Sequence, residues 1–332
     1  MKSNKFIIKF SNRDIDLSLR REVVKEMKSH ESVYMPDNHW IQAEKQLLKF
    51  LQSKDDFFKN NQFEDKYRIW KDTRQIEDFD YLNIHKNYIN YSLTPFSRAI
   101  DHLNKIVVVH RLLHRYTLDK KITVIEVGGG YGRTALFFLN YFGPKICYVN
   151  VDAVPAALII SKQFLQKNCR KDIRIAGVND VDGLRERKTG KKATETYNYI
   201  SFPAWRISEL PNRAFDIALN IWSMQEMSEH HELLYYRLWE RVCKHDSILF
   251  FLNRNKRKFA SGYKFSNRWI HLYEGHEATY GDPERIFILN SSFTMRKKLG
   301  VSLLRMLFND KIGFNDYLFK GRFQTLITAL SK

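Results

Sequence analysis

A tight group of glycines follows an apolar, β-branched run at residues 122–127. Gly128, Gly130 and Gly132 have the spacing G-x-G-x-G. Where such a turn ends a strand, a ligand can approach the backbone closely, because no Cβ intrudes and positive φ angles are allowed. The dinucleotide fingerprint G-x-G-x-x-G would need glycine at position 133, which is Arg133. The spacing therefore indicates a nucleotide-like ligand other than a standard dinucleotide.

Two acidic residues accompany this turn. Glu126 stands at the end of the first strand, where its carboxylate would repel a pyrophosphate and suit a cationic ligand. Asp152 ends a second strand, where a carboxylate can accept hydrogen bonds from both ribose hydroxyls. S-adenosyl-L-methionine (SAM) carries an amino group, a sulfonium and a ribose, so we expect SAM as the cofactor. A nicotinamide or other nucleotide site, or a glycine turn that binds nothing, are the alternatives.

A second polar group closes the predicted strand at 215–221, which would face the methyl donor. Asn220 is expected to contact the cofactor, and Gln225 and Glu226 to project near the ligand mouth. Glu226 could act as the general base for a substrate hydroxyl, or both side chains could merely cap or orient the next helix. Glu226 and His230 are four apart and could share a helix face. We expect no metal site, because Asn220 and Asn253 stand where a hard cation would need carboxylates.

Further ionisable side chains follow the predicted fifth strand. Asn253 and Arg254 could hold a substrate hydroxyl and an anionic group, or could face solvent where the chain leaves the strand. His271, Glu274 and His276 form a cluster that could supply a base folded over the cleft. A lone surface histidine is the commoner case, and we keep His271 as the catalytic candidate.

These residues need a frame that brings strand ends together. Apolar, β-branched runs predict strands at 122–127, 146–151, 197–202, 215–221 and 247–252. Helical periodicity lies between them at 134–141, 155–167 and 229–242. Strands that alternate with helices predict an α/β fold, a doubly wound and mostly parallel Rossmann-like sheet.

The rest of the chain divides around this sheet. Residues 1–94 are expected to form a helical N-terminal cap, and residues 95–332 the sheet-bearing domain, with Thr94 and Pro95 as a helix start. Residues 177–196 form a polar, basic insertion. Residues 253–332 have no pattern that assigns their structure, apart from a helix expected at 295–308.

The formal net charge of +18 suggests an anionic partner. Nucleic acid, an acidic membrane face and a negatively charged saccharide are candidates, with a solvated basic surface as the alternative. The three cysteines are scattered, which argues against a disulfide framework or a zinc site. No segment approaches the ~20 apolar residues of a membrane span. We expect a cytoplasmic protein, with peripheral contact at the inner face of the membrane as an option.

Four segments together resemble the bacterial sugar O-methyltransferases, which are class I SAM-dependent methyltransferases of surface-polysaccharide synthesis. They are EVGGGYGRT at 126–134, DAVP at 152–155, NIWSMQEM at 220–227 and NR at 253–254. The likeness covers roughly residues 95–255. The first segment is common to many methyltransferases, whereas Ser-Met-Gln-Glu-Met carries the family assignment.

The resemblance implies the methyltransferase version of the Rossmann-like sheet and a defined set of cofactor contacts. SAM would be bound by Glu126, Gly128, Gly130, Gly132 and Asp152, with Pro203, Ala204 and Trp205 bordering the adenine. The implied reaction is O-methylation of a sugar or surface-glycan precursor, either a small molecule or a lipid-linked saccharide.

Two other functions remain open. An RNA 2′-hydroxyl methyltransferase is motivated by the net charge, although nucleic acid is the less favoured partner. Exocyclic-amine methylation is not favoured, because the fourth strand ends Asn-Ile-Trp-Ser and lacks an Asn/Asp-Pro-Pro-aromatic turn. A non-catalytic partner protein with a SAM-binding fold is the third reading.

Overall fold

The computed structural model describes residues 6–7, 12–30, 38–51, 62–63, 121–182, 184–187, 189, 191–254, 265–276 and 283–289. The expected boundary at residues 94 and 95, the helix start there and the helix at 295–308 lie outside these ranges. The N-terminal part has two short antiparallel strands, β1 (Phe6–Ile7) and β2 (Gln62–Phe63). It also has two helices, α1 (Arg20–Ser29) and α2 (Asn38–Leu51).

The remaining strands are β3 (Ile122–Val127), β4 (Ile146–Asp152), β5 (Ile175–Ala176), β6 (Val181–Asp182), β7 (Arg185–Glu186), β8 (Tyr199–Pro203), β9 (Phe215–Ile221), β10 (Cys243–Leu252), β11 (Trp269–His276) and β12 (Pro283–Leu289). Eight of them form one sheet in the order β11-β12-β10-β9-β3-β4-β8-β5. The six from β10 to β5 run parallel. The strand β12 is antiparallel to both of its neighbours, β10 and β11.

Helices cover both faces of this sheet. They are α3 (Arg133–Phe142), α4 (Pro155–Asn168), α5 (Ala193–Thr196) and α6 (Glu229–Val242). One apolar cluster joins the sheet to α3 and α4, and a second joins the opposite face to α6. Every residue of β4 is buried, as expected for a strand covered on both faces. The doubly wound, mostly parallel α/β fold predicted from the sequence is confirmed.

Three segments differ from the expectation or add to it. The third predicted strand begins two residues later than expected, at Tyr199. Within the insertion at 177–196, β6 and β7 form an antiparallel pair and α5 a single turn. The region beyond residue 268 contributes β11 and β12, which the sequence pattern had not assigned. Their polar and charged residues interrupt the apolar run, as is common in antiparallel strands near a sheet edge.

The strand order reverses beside β3. The chain winds from β3 to β4 on one side and later returns to place β9 and β10 on the other. Because these strands are parallel, their carboxyl ends meet at one edge of the sheet, and ligands of open α/β sheets bind at such a crossing point. Among the described residues, no helix is long and apolar enough to cross a bilayer.

Candidate functional site at the carboxyl edge of the sheet

The glycine turn leaves β3 at this edge with positive φ angles of 76° at Gly128 and 55° at Gly130. A Cβ at Gly128 would lie 2.3 Å from the side chain of Ser223, so the turn packs there without room for a side chain. A Cβ at Gly130 would meet no atom within 4 Å. Gly130 therefore borders a space that the described residues leave open.

Gly129 is a further required glycine that the spacing argument passed over. A Cβ at this position would lie 2.3 Å from Oδ1 of Asn150 and 2.4 Å from Oε2 of Glu126. The turn is therefore pressed onto two polar side chains of the sheet. The run of three consecutive glycines was the sequence signal for this close approach.

Asp152 ends β4 beside the turn, and its side chain is buried. Its Oδ2 accepts a 2.9 Å hydrogen bond from the N–H of Gly130, and its Oδ1 accepts one of 2.8 Å from the N–H of Val154. Burial raises the pKa of Asp152 to about 6, although these backbone hydrogen bonds act in the opposite direction. Each carboxylate oxygen has a second lone pair, which a ribose hydroxyl could use.

Glu126 lies beneath the turn and is buried. The hydroxyl of Tyr148 donates a 2.7 Å hydrogen bond to its Oε2. Burial raises the pKa of Glu126 to about 7, against the effect of the Tyr148 and Thr134 hydrogen bonds and the charge of Arg133. The carboxyl is thus held in a place where ionisation is costly without a cationic partner.

Asn150 connects this acid to the turn from the middle of β4. Its Nδ2 donates to the carbonyl of Gly130 and to the hydroxyl of Tyr199, both at 3.0 Å. The rings of Tyr148 and Tyr199 stack with centroids 6.4 Å apart. Sequence reasoning missed these three residues. Their signal was the presence of polar groups inside strands that are otherwise apolar.

Asn220 lies in a group of hydrogen-bonded polar side chains under the turn and is fully buried. Its Nδ2 donates to the carbonyl of Val127 at 3.0 Å and to Oγ of Ser223 at 2.7 Å. Its Oδ1 accepts from the N–H of Met224 at 3.1 Å and from Nδ2 of Asn253 at 2.8 Å. All its hydrogen-bonding groups are engaged, so Asn220 joins the ends of β3, β9 and β10 rather than presenting its amide to a ligand.

The chain leaves β9 through a residue that the sequence analysis did not single out. Trp222 has a φ of 56°, and its N–H donates to the carbonyl of Leu252 at 2.7 Å. Left-handed backbone costs a residue with a Cβ about 1–2 kcal/mol. The bend brings Ser223 under Gly128, where Oγ donates to the carbonyl of Val127 at 2.9 Å.

Gln225 and Glu226 lie in a short 3₁₀ helix, Met224–Glu226, at the same edge. The Oε1 of Gln225 accepts a 2.8 Å hydrogen bond from the N–H of Arg254, and its own N–H donates to Oδ1 of Asn253 at 3.2 Å. Gln225 therefore joins the exits of β9 and β10, whereas Glu226 and Arg254 are exposed.

Glu226 and His230 do not share a helix face, contrary to the expectation. The 3₁₀ helix ends at Glu226, and α6 begins at Glu229 behind the N-cap Ser228. Oγ of Ser228 accepts from the N–H of His231, and the residues from Met227 to Ser228 break the helical path. Among the described residues, no three His, Cys, Asp or Glu side chains are grouped to hold a metal ion.

His271 lies on β11, midway along the strand and away from the glycine turn, and its role as a base stays a prediction. It is exposed on β11 and stacks on Phe287 with ring centroids 4.8 Å apart. The register aligns His271 with Phe287, Leu249 and Ala218, which lie midway along their strands. Four strand spacings, about 19 Å, separate β11 from β3.

Glu274 and His276 lie further along β11, where their backbones pair with Arg285 and Pro283.

Pro203 lies on the other side of the site, where it pairs with Asp152 across β8 and β4. Ala204 begins the next 3₁₀ helix, Ala204–Glu209, and is buried. Pro203 and Ala204 therefore stand at the carboxyl edge next to Asp152, and their contact with an adenine stays a prediction.

The parallel strands, the antiparallel β12 between β10 and β11, and the glycine turn at the crossing point define a Rossmann-like, doubly wound α/β fold. No family model matches the chain, and no curated protein matches it.

Solved structures with low likeness include a SAM-dependent methyltransferase from Aquifex aeolicus, 14% identical with a TM-score of 0.33, covering 55% of this chain and 89% of that chain. Cofactor-bound Rv0187 from MTB is 8% identical with a TM-score of 0.37, covering 68% of this chain and 97% of that one.

Proposed function

We propose that the chain is a SAM-dependent methyltransferase. The observation that carries this proposal is the open space beside Gly130, where an added Cβ would meet none of the described residues within 4 Å. The same residue donates its N–H to Asp152, so the open space adjoins a buried carboxylate at the end of β4. A backbone cradle beside a strand-terminal carboxylate suits a nucleoside with free ribose hydroxyls.

The charges around the turn fit a zwitterionic amino acid better than a pyrophosphate. Glu126 is a buried acid under the turn, and Arg133 opens α3 and lowers the pKa of Glu126 through its positive charge. An ammonium and a carboxylate on one ligand would complement this pair. A pyrophosphate would meet Glu126 and Asp152 as like charges.

SAM supplies, when bound, an electrophilic methyl group on a sulfonium. The chain would hold it through the turn backbone at Gly130, the carboxylate of Asp152 and the acid Glu126. Methyl transfer needs an in-line approach of the acceptor oxygen, so positioning supplies much of the catalysis. Glu226, exposed at the edge, is the proposed group that accepts the proton of the acceptor hydroxyl. Gln225 would orient the rim through its hydrogen bond to Arg254.

The proposed acceptor is a hydroxyl of a sugar or surface-glycan precursor. The Ser-Met-Gln-Glu-Met segment, whose likeness to sugar O-methyltransferases suggests this acceptor, lies at the carboxyl edge with only Gln225 and Glu226 open to solvent. The amide of Gln225, the carboxylate of Glu226 and the guanidinium of Arg254 can hydrogen-bond a polyhydroxylated molecule. Arg254 also suits an anionic sugar. A lipid-linked saccharide would bring the protein to the inner face of the membrane as a peripheral contact.

A 2′-hydroxyl of RNA is the second candidate acceptor, and the net charge of +18 is the observation that favours it. Both acceptors need the same cofactor site and the same proton acceptor. They differ in salt dependence, since each phosphate contact releases counterions and steepens the loss of affinity with salt. A non-catalytic partner with a SAM-binding fold is the third possibility, in which the cofactor binds and no acceptor is methylated.

The test is transfer of a labelled methyl group from SAM to matched acceptor panels. One panel holds nucleotide sugars and lipid-linked saccharides, and the other holds total RNA at low and high salt. We expect label in the saccharide panel that is lost in Glu226→Gln. Label in RNA alone would favour the second candidate. Bound SAM without label in either panel would favour the non-catalytic protein.

A further inference from the structure

The helix α4 begins directly after the Asp152 turn and lacks a cap of its own. Its N-cap residue is Val154, which has no side-chain acceptor, and Pro155 occupies the first turn. The first N–H groups of a helix have no partner inside it. The N–H of Ala156 is instead satisfied from a distant part of the chain. It donates a 3.1 Å hydrogen bond to Oε1 of Glu44 in α2.

Glu44 is itself fixed in place. Arg20 of α1 donates from Nε to Oε1 at 3.0 Å and from Nη2 to Oε2 at 3.1 Å, which is a bidentate ion pair. The side chain of Glu44 is 11% exposed. Bidentate arginine–carboxylate pairs are geometrically specific and are among the stronger hydrogen-bonded contacts. Leu47 and Leu48 of the same helix pack against the apolar cluster under α4.

Two carboxylates therefore hold alternate N–H groups of one short segment. Asp152 accepts from Val154 at 2.8 Å, and Glu44 accepts from Ala156 at 3.1 Å. Asp152 also accepts from Gly130, whose backbone faces the open space. Any shift at the start of α4 is passed through Val154 to the Asp152 carboxylate, and from there to the glycine turn.

We propose that Glu44 is a positioning residue of the cofactor site. This inference rests on the proposed SAM binding and extends it to the N-terminal helices. Glu44 fixes the start of α4 and thereby the orientation of Asp152, and Arg20 fixes Glu44. The helices α1 and α2 thus affect the cofactor site indirectly, through the Glu44 carboxylate, and supply no cofactor contact of their own.

If Glu44 had a purely structural role, it would only attach the N-terminal segment to α4. A second ion pair, between Lys167 of α4 and Asp14 at 2.5 Å, also attaches this segment and therefore serves as a control. Lys167 lies twelve residues beyond Pro155, about 18 Å along the helix and away from Asp152. Asp14→Asn should therefore weaken the packing of the N-terminal segment against the far end of α4. This end of the helix does not contact the proposed cofactor site.

The experiment uses the full chain with Glu44→Ala, Glu44→Gln, Arg20→Gln and Asp14→Asn. Binding of S-adenosylhomocysteine (SAH) is measured by calorimetry well below the melting temperature of each variant. Backbone hydrogen exchange of residues 153–157 is measured without ligand. We expect Glu44→Ala to weaken SAH binding about tenfold and to increase exchange in this segment, because an N–H loses its acceptor. Glu44→Gln keeps an acceptor and should recover most of the affinity.

Arg20→Gln is expected to weaken binding in the same direction and serves as the test if Glu44→Ala does not fold. Asp14→Asn should leave the SAH affinity within about twofold even where its melting temperature falls. Wild-type affinity and exchange in Glu44→Ala and Arg20→Gln, or an equal loss in Asp14→Asn, would overturn the proposal. Wild-type protein that binds no SAH would instead overturn the proposed function, while the exchange measurement still decides the role of Glu44.

Discussion

The N–H of Gly130 donates a 2.9 Å hydrogen bond to Oδ2 of Asp152, so the turn after β3 and the end of β4 hold each other. The second carboxylate oxygen holds the N–H of Val154 at the start of α4. One buried side chain thus fixes the loops on both sides of the open space. The chain's own hydrogen bonds therefore hold the backbone around the proposed cofactor site.

Asp152→Asn tests this arrangement. The amide keeps one acceptor oxygen but turns an NH₂ group toward one of the two backbone donors. We expect SAH binding about tenfold weaker or more, because an unsatisfied donor and a lost ribose acceptor both act against it. Calorimetry gives the affinity. Asp172→Asn, in an exposed ion pair with Arg170, is the control and should bind SAH normally. Wild-type affinity in Asp152→Asn would remove Asp152 from the site.

We expect Glu126 to make stability and SAM affinity respond to pH in opposite senses. Its pKa is raised by burial from an ordinary 4.5 to about 7, so the folded protein keeps a proton that the unfolded chain releases. The stability due to this proton is complete below about pH 4.5 and is lost as the pH rises through about 7. The ionised form, in contrast, favours a cationic ligand.

Glu126→Gln should therefore be more stable than the wild type at pH 8 and should bind SAM more weakly. Urea denaturation at pH 5.5 and pH 8 measures the first effect, and calorimetry with SAM the second. Glu195→Gln, an exposed carboxylate, should keep the wild-type slope with pH. A Glu126→Gln variant that follows the wild-type pH profile in both measurements contradicts the role of the buried acid.

Asn220 is expected to act through the fold. In Asn220→Ala, the carbonyl of Val127, the N–H of Met224 and the amide of Asn253 lose their partner. We expect a loss of at least about 2 kcal/mol in the free energy of unfolding, measured with urea. Asn212→Ala removes an exposed amide and should change stability by less than about 0.5 kcal/mol. An Asn220→Ala protein with the wild-type free energy of unfolding would show that these hydrogen bonds do not stabilise the strand ends.

Glu226 is the group whose removal should affect the reaction and spare the cofactor. Glu226→Gln should lower kcat by about 10²-fold to 10⁴-fold with the acceptor identified in the transfer assay, and leave the SAH affinity unchanged. Glu229→Gln, in the first turn of α6, is the matched control and should retain full turnover. Unchanged kcat in Glu226→Gln would mean that another group accepts the proton.

Much of the fold could be predicted, because local sequence determines it. The strands at 122–127 and 215–221 and the helix at 229–242 have the predicted bounds, since buried parallel strands are continuous apolar runs. The glycine turn and the two strand-terminal acids could also be located, because both lie where strands end. The strands β11 and β12 could not, since their mixed polarity follows from neighbours that are distant in sequence.

The polar contacts of the site were beyond sequence reasoning for the same physical reason. Asn150 meets Tyr199 only through the register of β4 and β8, and Glu44 meets Ala156 across 112 positions. His271 was a candidate by residue type alone, and the register places it midway along β11, an edge strand of the sheet. Residue type suggests chemistry, whereas strand order decides which groups meet.

The most direct test of SAM binding is calorimetric titration of SAH into the wild-type protein and Gly130→Ala. Among the described residues, the added methyl group meets no atom within 4 Å, so we expect it to occupy the space of the ligand. We predict binding in the wild type and a loss of about tenfold or more in Gly130→Ala. Gly143→Ala, with a φ of 58° and its Cβ near the flexible end of Arg170, imposes backbone strain elsewhere and should retain binding. Wild-type protein that binds neither SAH nor SAM, or Gly130→Ala that binds as well as wild type, would contradict the account.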